Sequence, residues 1–225
     1  FCVYRSPLSD PLTYVRLVGH VLGHSGYAHY LSNMMLLLVV GPPLEEKYGS
    51  GRIAVLDTRG ASLGEGLVVI ETARLAKEGR SLGELEDFAK SRCARMQQFF
   101  VVDDLKYLHK GGRISGGARL AGTLLQVKPI LRGNEEGKIV VYDKVRGKKK
   151  ALEALAEIYD KTVDDRGTPI GIAHADAPAD ALHLQNLLRD RGAEGEITHV
   201  CYEPVTGAHV GPGTVALFFY GKAWR

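Results

Sequence analysis

Hydrophobic and polar residues follow two different patterns along the chain, and the pattern changes near residue 51. The first fifty residues contain one short run, Tyr27 to Val40, that is apolar on every side and stops at Pro42. This run predicts a short apolar helix. It is shorter than the roughly 20 residues that a membrane-spanning helix needs, so a span would also require the residues from Leu17 onward.

From residue 52 apolar strands alternate with amphipathic helices, with glycine or aspartate turns between them, which predicts an α/β fold. "RIAVLDT" predicts a strand, and "LGEGLVVIETARLAKEG" predicts a helix with Leu67 and Ile70 on one face. "SLGE" at Ser81 to Glu84 fits a capping box that begins a second helix, reaching about Gln97.

The remaining residues continue this alternation. Further strands are predicted at "FFVVDD", "KPILR", "KIVVYDKV", "TPIGIAH", "EITHVCYE" and "TVALFFYGK", and further helices at "GKKKALEALAEIYDKTV" and "APADALHLQNLLRDRG". The glycine-rich stretch "KGGRISGGARLAG" could cradle a phosphate, because backbone amides near a helix start attract anions. It matches neither common phosphate-loop spacing, and a turn followed by close helix packing explains it as well.

Composition narrows the class of partner. The net charge of +3 is the small difference between 29 basic and 26 acidic residues, which does not indicate nucleic acid. Cys2, Cys93 and Cys201 are widely spaced, which predicts a reducing compartment and no cysteine zinc site. The chain starts with phenylalanine and shows no signal-peptide pattern, so we expect a cytoplasmic piece of a longer protein.

Two charged motifs each allow two interpretations. "VRGKKK" places positive charges at the start of a helix, where the helix dipole disfavours them, so it either holds an anion or partner or forms a solvated basic face. His174 and Asp176 in "AHADAP" are either metal ligands at the end of a strand or residues that make strand-end hydrogen bonds.

The stretch "HVLGHSGYAHYLSN" sets His20, His24 and His29 before Asn33. Histidines four apart on a helix share a face and can bind one metal ion, but the spacing of five to His29 turns that side chain away from the other two. The alternative is a set of polar residues on a segment next to lipid, where imidazole bonds to backbone or water.

The longer stretch "RLVGHVLGHSGYAHYLSNMMLLLVVGPPLEEKYGS" resembles the loop and second transmembrane helix of rhomboid intramembrane proteases. In that family the last histidine and the asparagine help to stabilise the oxyanion, a role that the resemblance places on His29 and Asn33. The family's nucleophile lies in a G-x-S-G motif that this chain lacks, so we expect no proteolysis. Membrane contact is expected through residues 15 to 44.

His209 lies between Gly207 and Gly211 in "EPVTGAHVGPGTVALFFYGK", on backbone that is free to turn sharply towards a ligand. A histidine there can donate a hydrogen bond to a carboxylate. It can equally well stabilise the turn, and the residues alone do not separate the two interpretations.

Six blocks in order then carry a second resemblance, and they cover about residues 52 to 225. They are "AVLDTRGASLGEGLVVIETARLAKEG", "FFVVDDLKYLHKGGRIS", "LLQVKPIL", "KVRGKKKALEAL", "IAHADAP" and the His209 block. Together they resemble the DegV family of bacterial cytoplasmic proteins, which bind a fatty acid and present its carboxylate to the catalytic subunit of a fatty acid kinase. The resemblance implies a two-domain α/β fold (the EDD fold), a long-chain fatty acid as ligand, and neither catalytic residues nor a cofactor or metal.

The resemblance also implies a site. Ser62 matches the serine that contacts the carboxylate, His209 matches the histidine beside it, and Arg146 in "KVRG" is expected to support this network. Apolar residues of the "LGEGLVVI" and "GGARLAGTLL" stretches are expected to line the acyl tunnel: Leu63, Leu67, Ile70, Leu120 and Leu124. Burying the acyl chain would gain about 0.8 kcal/mol per methylene, while a few donors fix the head group.

A DegV protein begins with a further block of about eighty residues that this chain lacks, including a loop that also touches the carboxylate. We therefore expect a rhomboid-like fragment at residues 1–51, the remainder of a first α/β domain at 52–132, and a second α/β domain at 133–225. Two alternatives to fatty-acid binding stay open. One is an inactive rhomboid-type membrane protein with a soluble tail, and the other is a chimeric remnant without function that folds only from about Gly133 on.

Overall fold

The computed structural model describes residues 27–49, 53–114, 127–134 and 138–222. The chain divides into two compact units, Phe1–Val55 and Leu56–Arg225. His20, His24, Leu120 and Leu124 lie outside the described residues.

The first unit contains one described helix, α1 (Tyr27–Tyr48). Its backbone carries His29 and Asn33, and the helix continues through Pro42 and Pro43, so the prediction that it stops at Pro42 is wrong. Each proline removes one backbone donor and leaves a carbonyl four residues earlier without its helical partner. Those carbonyls belong to Leu38 and Val39, which are exposed to solvent. Among the described residues, no helix has both the length and the apolar character needed to cross a membrane.

The second unit alternates helices and strands. Its helices are α2 (Leu63–Lys77), α3 (Leu82–Arg95), α4 (Lys106–Lys110), α5 (Lys148–Thr162), α6 (Pro178–Asp190) and α7 (Pro204–Val210). Its strands are β1 (Met96–Val101), β2 (Val127–Gly133), β3 (Ile139–Arg146), β4 (Ile170–His174), β5 (Ile197–Cys201) and β6 (Val215–Tyr220).

All six strands form one sheet in the order β3-β2-β1-β6-β4-β5. The neighbouring strands are antiparallel except for β4 and β5, which are parallel. Helix α6 connects these two strands, because a parallel pair needs a crossover that returns the chain to the same end of the sheet. The mixed α/β fold agrees with the expected fold class.

Strand β6 shows how the sheet buries both faces. Alternate side chains of a strand point to opposite faces, and Val215, Leu217 and Phe219 face α5 and α6. Ala216, Phe218 and Tyr220 face α2 on the other side. A third apolar cluster packs Leu108 of α4 over β2 and β3. Because both faces of β6 are covered, its sequence is continuously apolar and not alternating.

Two predictions near α2 and α3 have different outcomes. The capping box is confirmed: the amide of Glu84 donates to Ser81 Oγ at 3.4 Å, and the amide of Ser81 donates to the Glu84 carboxylate at 2.9 Å. The strand predicted from "RIAVLDT" is wrong, since residues 53–58 form neither strand nor helix. A strand needs a hydrogen-bonded neighbour, and this segment pairs with none among the described residues.

The predicted domain boundary at residue 133 falls at the end of β2. Strand β2 pairs with β3 from Val127↔Arg146 to Gly133↔Ile139, so strands on both sides of this position belong to one sheet. The division into domains at 52–132 and 133–225 stays a prediction.

Candidate functional site

Ser62 stands directly before α2 with φ 55° and ψ −129°, a backbone conformation that favours glycine. Its side chain does not cap the helix. The loop before it is held by Gln98 of β1, whose Oε1 accepts from the Ala61 amide at 3.0 Å and whose Nε2 donates to the Arg59 carbonyl at 3.0 Å. Strain of this kind costs of order 1 to 3 kcal/mol and concentrates at functional sites.

Gly64, in the first turn of α2, explains how closely this helix approaches β1. A Cβ at Gly64 would lie 2.8 Å from Gln98 Cδ, so a larger residue there would displace the Gln98 side chain and its two bonds to the loop before Ser62. The N-terminus of α2, where the helix dipole favours an anion, is therefore fixed on the sheet beside Ser62.

The Tyr202 side chain, on the segment between β5 and α7, lies next to Ser62. Burial raises the pKa of Tyr202 to about 12, although the Ser62 hydroxyl works in the opposite direction. The Tyr202 amide donates to the His174 carbonyl at 2.8 Å, which ties this segment to the end of β4. Tyr202 therefore keeps its proton at neutral pH and holds a defined position beside Ser62.

His209 lies near the end of α7, half-buried against the backbone of Gly111. A Cβ at Gly111 would lie 3.3 Å from both Cγ and Cε1 of the imidazole and closer still to Nδ1. The Glu203 carboxylate caps α7 by accepting from the Thr206 amide at 2.9 Å, and contacts with Thr206 lower the pKa of Glu203, with a smaller effect from His209. Among the described residues, Ser62 and His209 share no hydrogen bond.

Two more glycines let the "GAHVGPG" loop fit against the "DDLKYLHKGG" segment. Gly211 has φ 80° and ψ 161°, and a Cβ there would lie 2.6 Å from Cγ of the Tyr107 ring. Gly213 has φ 79°, and a Cβ there would lie 2.6 Å from Asp103 Cγ. The glycines are therefore needed both for their backbone conformation and for the close approach of the two segments.

Lysines hold the same loop from the other side. Lys128 Nζ lies 2.9 Å and Lys148 Nζ 3.1 Å from Asp103 Oδ1, and Lys148 also donates to the Gly213 carbonyl. Burial raises the pKa of Asp103, but the hydrogen bonds from both lysines outweigh it, so that the pKa of this carboxyl lies below its usual value. Lys148 therefore stands at the unfavourable end of the α5 dipole because it makes these contacts.

A cavity of about 550 Å³ opens beside this network. Its walls include four carboxylates, Asp103, Asp104, Asp176 and Asp180. An acyl chain needs apolar walls, so this cavity does not correspond to the expected tunnel.

The other predicted residues lie at several places in the second unit. Leu63 and Leu67 are 7% and 2% exposed, in the apolar cluster under α2, whereas Ile70 is 39% exposed. Arg146 is exposed at the end of β3, two residues before Lys148. Within the described residues, no group of three or more histidine, cysteine, aspartate or glutamate side chains is arranged to hold a metal ion.

Sequence reasoning missed Tyr202 as a neighbour of Ser62 and Tyr107 as a neighbour of Gly211. A partial signal for Tyr107 was present, because the glycines of "GAHVGPG" indicate a place where another segment can approach the backbone closely. No comparable signal marks Tyr202.

Comparison with known proteins relates the sequence and fold of this chain to one family. The family model described as "Uncharacterised protein, DegV family" matches residues 40–222. A DegV domain-containing protein of Clostridium perfringens is 36% identical over 185 residues, which are 82% of this chain and 64% of that protein. The match begins before residue 52, so the similarity reaches further towards the N-terminus than the sequence blocks indicate.

Two solved structures show the same fold. A fatty acid binding DegV family protein from Streptococcus agalactiae is 38% identical with a TM-score of 0.69, over 80% of this chain and 64% of that one. A DegV family protein from Ruminococcus gnavus, refined with vaccenic acid, is 28% identical with a TM-score of 0.70, over 79% and 63%. This chain thus spans slightly less than two thirds of the length of each of these three proteins.

Proposed function

Because the chain belongs to the DegV family, we propose that it binds a long-chain fatty acid, with the carboxylate at Ser62 and the acyl chain in apolar surroundings next to α2. The observation that carries this proposal is the position of Ser62. It holds a strained backbone at the start of a 15-residue helix, where an anion is favoured, and the next residue, Leu63, is buried in an apolar cluster. A polar anchor next to apolar side chains is the arrangement that a fatty acid requires.

His209 is proposed as the second donor to the carboxylate, and Arg146 as a support through the Lys148 segment. The interlocked glycines hold His209 against Gly111 and so restrict where its ring nitrogens can point. The buried Leu63 and Leu67 are proposed to contact the acyl chain, together with Leu120 and Leu124. Ile70, on the exposed side of α2, would contribute only where a further segment covers that side.

The fatty acid is further proposed to be presented to the catalytic subunit of a fatty acid kinase, which would supply the phosphoryl chemistry. The family resemblance supports this proposal, together with the vaccenic acid of the Ruminococcus gnavus structure and the fatty-acid binding of the Streptococcus agalactiae protein. No nucleic acid, cofactor or metal forms part of the proposal. The proposed compartment is the cytoplasm.

For the first fifty residues the rhomboid-like interpretation stays a prediction, with His29 and Asn33 as its two oxyanion residues. The family match from residue 40 onward overlaps the end of α1, so part of this helix belongs to the DegV similarity. Membrane contact through residues 15 to 44 likewise stays a prediction.

Native mass spectrometry of the purified chain tests the lipid-binding proposal directly. After removal of bound lipid, we expect added cis-vaccenic acid to bind with one-to-one stoichiometry and the Ser62→Ala and His209→Ala variants to bind it more weakly. The matched control is Ser81→Ala, which also removes one serine hydroxyl before a helix and costs about 1 kcal/mol of stability, but leaves Ser62 untouched. A folded chain that binds no fatty acid, or variants that bind as the parent does, would refute the proposal.

A further inference from the structure

The loop that leads into Ser62 is bound to the sheet by the side chain of Gln98 in β1. Gln98 Oε1 accepts a hydrogen bond from the Ala61 amide at 3.0 Å, and Gln98 Nε2 donates to the Arg59 carbonyl at 3.0 Å. The two bonds lie on either side of Gly60 and join residues that are 37 and 39 positions apart in sequence. They therefore connect the residue just before Ser62 directly to a strand of the sheet.

Contacts within the loop fix its shape. Asp57 Oδ1 accepts from the Arg59 amide at 2.9 Å. Thr58 Oγ1 accepts from the Gly60 amide at 3.3 Å. A Cβ at Gly60 would lie 3.1 Å from the Glu65 backbone nitrogen, so the loop folds back against the first turn of α2. Because these contacts join near neighbours in sequence, they would move together with the loop, whereas the bonds from Gln98 decide where the loop lies on the sheet.

The loop needs such a hold because its backbone is strained. Arg59 has φ 49° and Ser62 has φ 55°, in a region of the backbone map that residues with a side chain rarely adopt. Conformations of this kind persist only where the surrounding structure determines them. Without the bonds from Gln98, we expect the loop to relax and the Ser62 hydroxyl to lose its defined position at the start of α2.

Glutamine suits this position because the loop presents one donor and one acceptor to it. The Ala61 amide requires an acceptor and the Arg59 carbonyl requires a donor, and a side-chain amide supplies both. An ionised glutamate could only accept, and an apolar side chain of the same length could do neither. The strand fixes where this amide lies, since Gln98 pairs with Phe218 of β6 and the next residue, Phe99, is buried on the opposite face of the sheet.

We infer that Gln98 is a positioning residue for the ligand head group, acting through Ser62: it holds the strained loop on β1 and so preorganises the serine hydroxyl for the carboxylate. This inference rests on the proposed fatty-acid binding. A donor that is already in place needs less ordering when the ligand arrives, which raises affinity. The effect of Gln98 on affinity should therefore disappear when residue 62 has no hydroxyl.

The test is isothermal titration of the full chain with oleic acid and with oleyl alcohol, in the parent and in two variants. Gln98→Met keeps the length of the side chain and removes both hydrogen bonds, whereas Gln98→Asn keeps the amide group but ends one methylene short of the loop. We expect both variants to weaken oleic acid roughly tenfold, the equivalent of one hydrogen bond to the head group. Oleyl alcohol should be weakened only about threefold, since a hydrogen bond to a neutral group is about half as strong as one to a charged group.

Gln97→Met is the matched control. Gln97 precedes Gln98 in β1, points to the opposite face of the strand, and donates through Nε2 to the Lys222 carbonyl at 3.3 Å. We expect this variant to bind both ligands as the parent chain does. Amide hydrogen exchange gives a second measurement: exchange at Ala61 should become faster in Gln98→Met but not in Gln97→Met, while exchange in β6 stays unchanged in Gln98→Met.

The double variant Ser62→Ala with Gln98→Met separates positioning from general stability. If Gln98 acts through Ser62, the second change adds little to the loss of oleic acid affinity that the first one causes. Additive losses, an equal loss for acid and alcohol, or unchanged affinity in both Gln98 variants overturns the inference while fatty-acid binding stands. A parent chain that binds no oleic acid overturns both.

Discussion

Gly211 provides the strongest test of how the "GAHVGPG" loop is built. Alanine there must adopt φ 80° and ψ 161°, a region that is almost restricted to glycine and costs of order 1 to 3 kcal/mol. Its Cβ would also lie 2.6 Å from Cγ of Tyr107, and overpacking of this kind costs typically about 1 to 3 kcal/mol. Together these effects predict a loss of about 2 to 6 kcal/mol in the free energy of unfolding for Gly211→Ala.

Gly207 is the matched control, four residues earlier in the same segment. It lies inside α7, and the nearest atom to a Cβ there is the Tyr202 carbonyl oxygen at 4.0 Å. Alanine also has the higher helix propensity, so Gly207→Ala should be neutral or stabilising by up to about 1 kcal/mol. Urea denaturation followed by circular dichroism would give both values, with the slope of the transition compared between variants.

The double variant Gly211→Ala with Tyr107→Ala separates the two causes. Removing the ring relieves the overlap but not the backbone strain, so the double variant should lose less than the sum of the single changes. Strict additivity would show that the ring does not press on this position. If Gly211→Ala were as stable as Gly207→Ala, the loop would not have the conformation from which the position of His209 is argued.

The remaining predictions concern Ser62 and Asp103. Ser62→Gly should be more stable than Ser62→Ala by about 1 kcal/mol, since glycine relieves the strained backbone at some cost in unfolded-state entropy, and both should lose fatty-acid affinity. Equal thermal stability of the two variants would contradict the strain. The pKa of Asp103 is lower in the folded state than in the unfolded chain, so the folded state favours the ionised carboxylate. The carboxylate therefore stabilises the fold above the unfolded pKa of about 3.9, and this stabilisation is lost as the pH falls through the lower pKa of the folded state. Asp103→Asn should therefore lower the melting temperature at pH 7 but much less near pH 2, which thermal melts of the variant and the parent chain at the two pH values would show.

Part of this fold follows from the sequence because its causes are local. The capping box at Ser81 and Glu84 depends on residues three apart, and it forms as the spacing predicts. The continuously apolar run of β6 predicts a strand that is buried on both faces, and packing on both sides confirms it. The strand prediction from local sequence was wrong at residues 53–58, where an apolar pattern is present but no neighbouring strand pairs with it among the described residues.

The candidate site likewise combines features that the sequence predicted with contacts that only the tertiary structure revealed. The motif resemblance singled out Ser62 and His209 from the sequence, and the glycines around His209 already indicated a sharp turn. Only the tertiary structure showed that Tyr202 lies next to Ser62, that Tyr107 lies against Gly211, and that Lys148 bonds to the Gly213 carbonyl. These pairs are distant in sequence, and the order of strands in the sheet decides which of them meet. Periodicity and capping depend on neighbours along the chain, whereas a hydrogen bond between distant side chains depends on where folding brings two elements together.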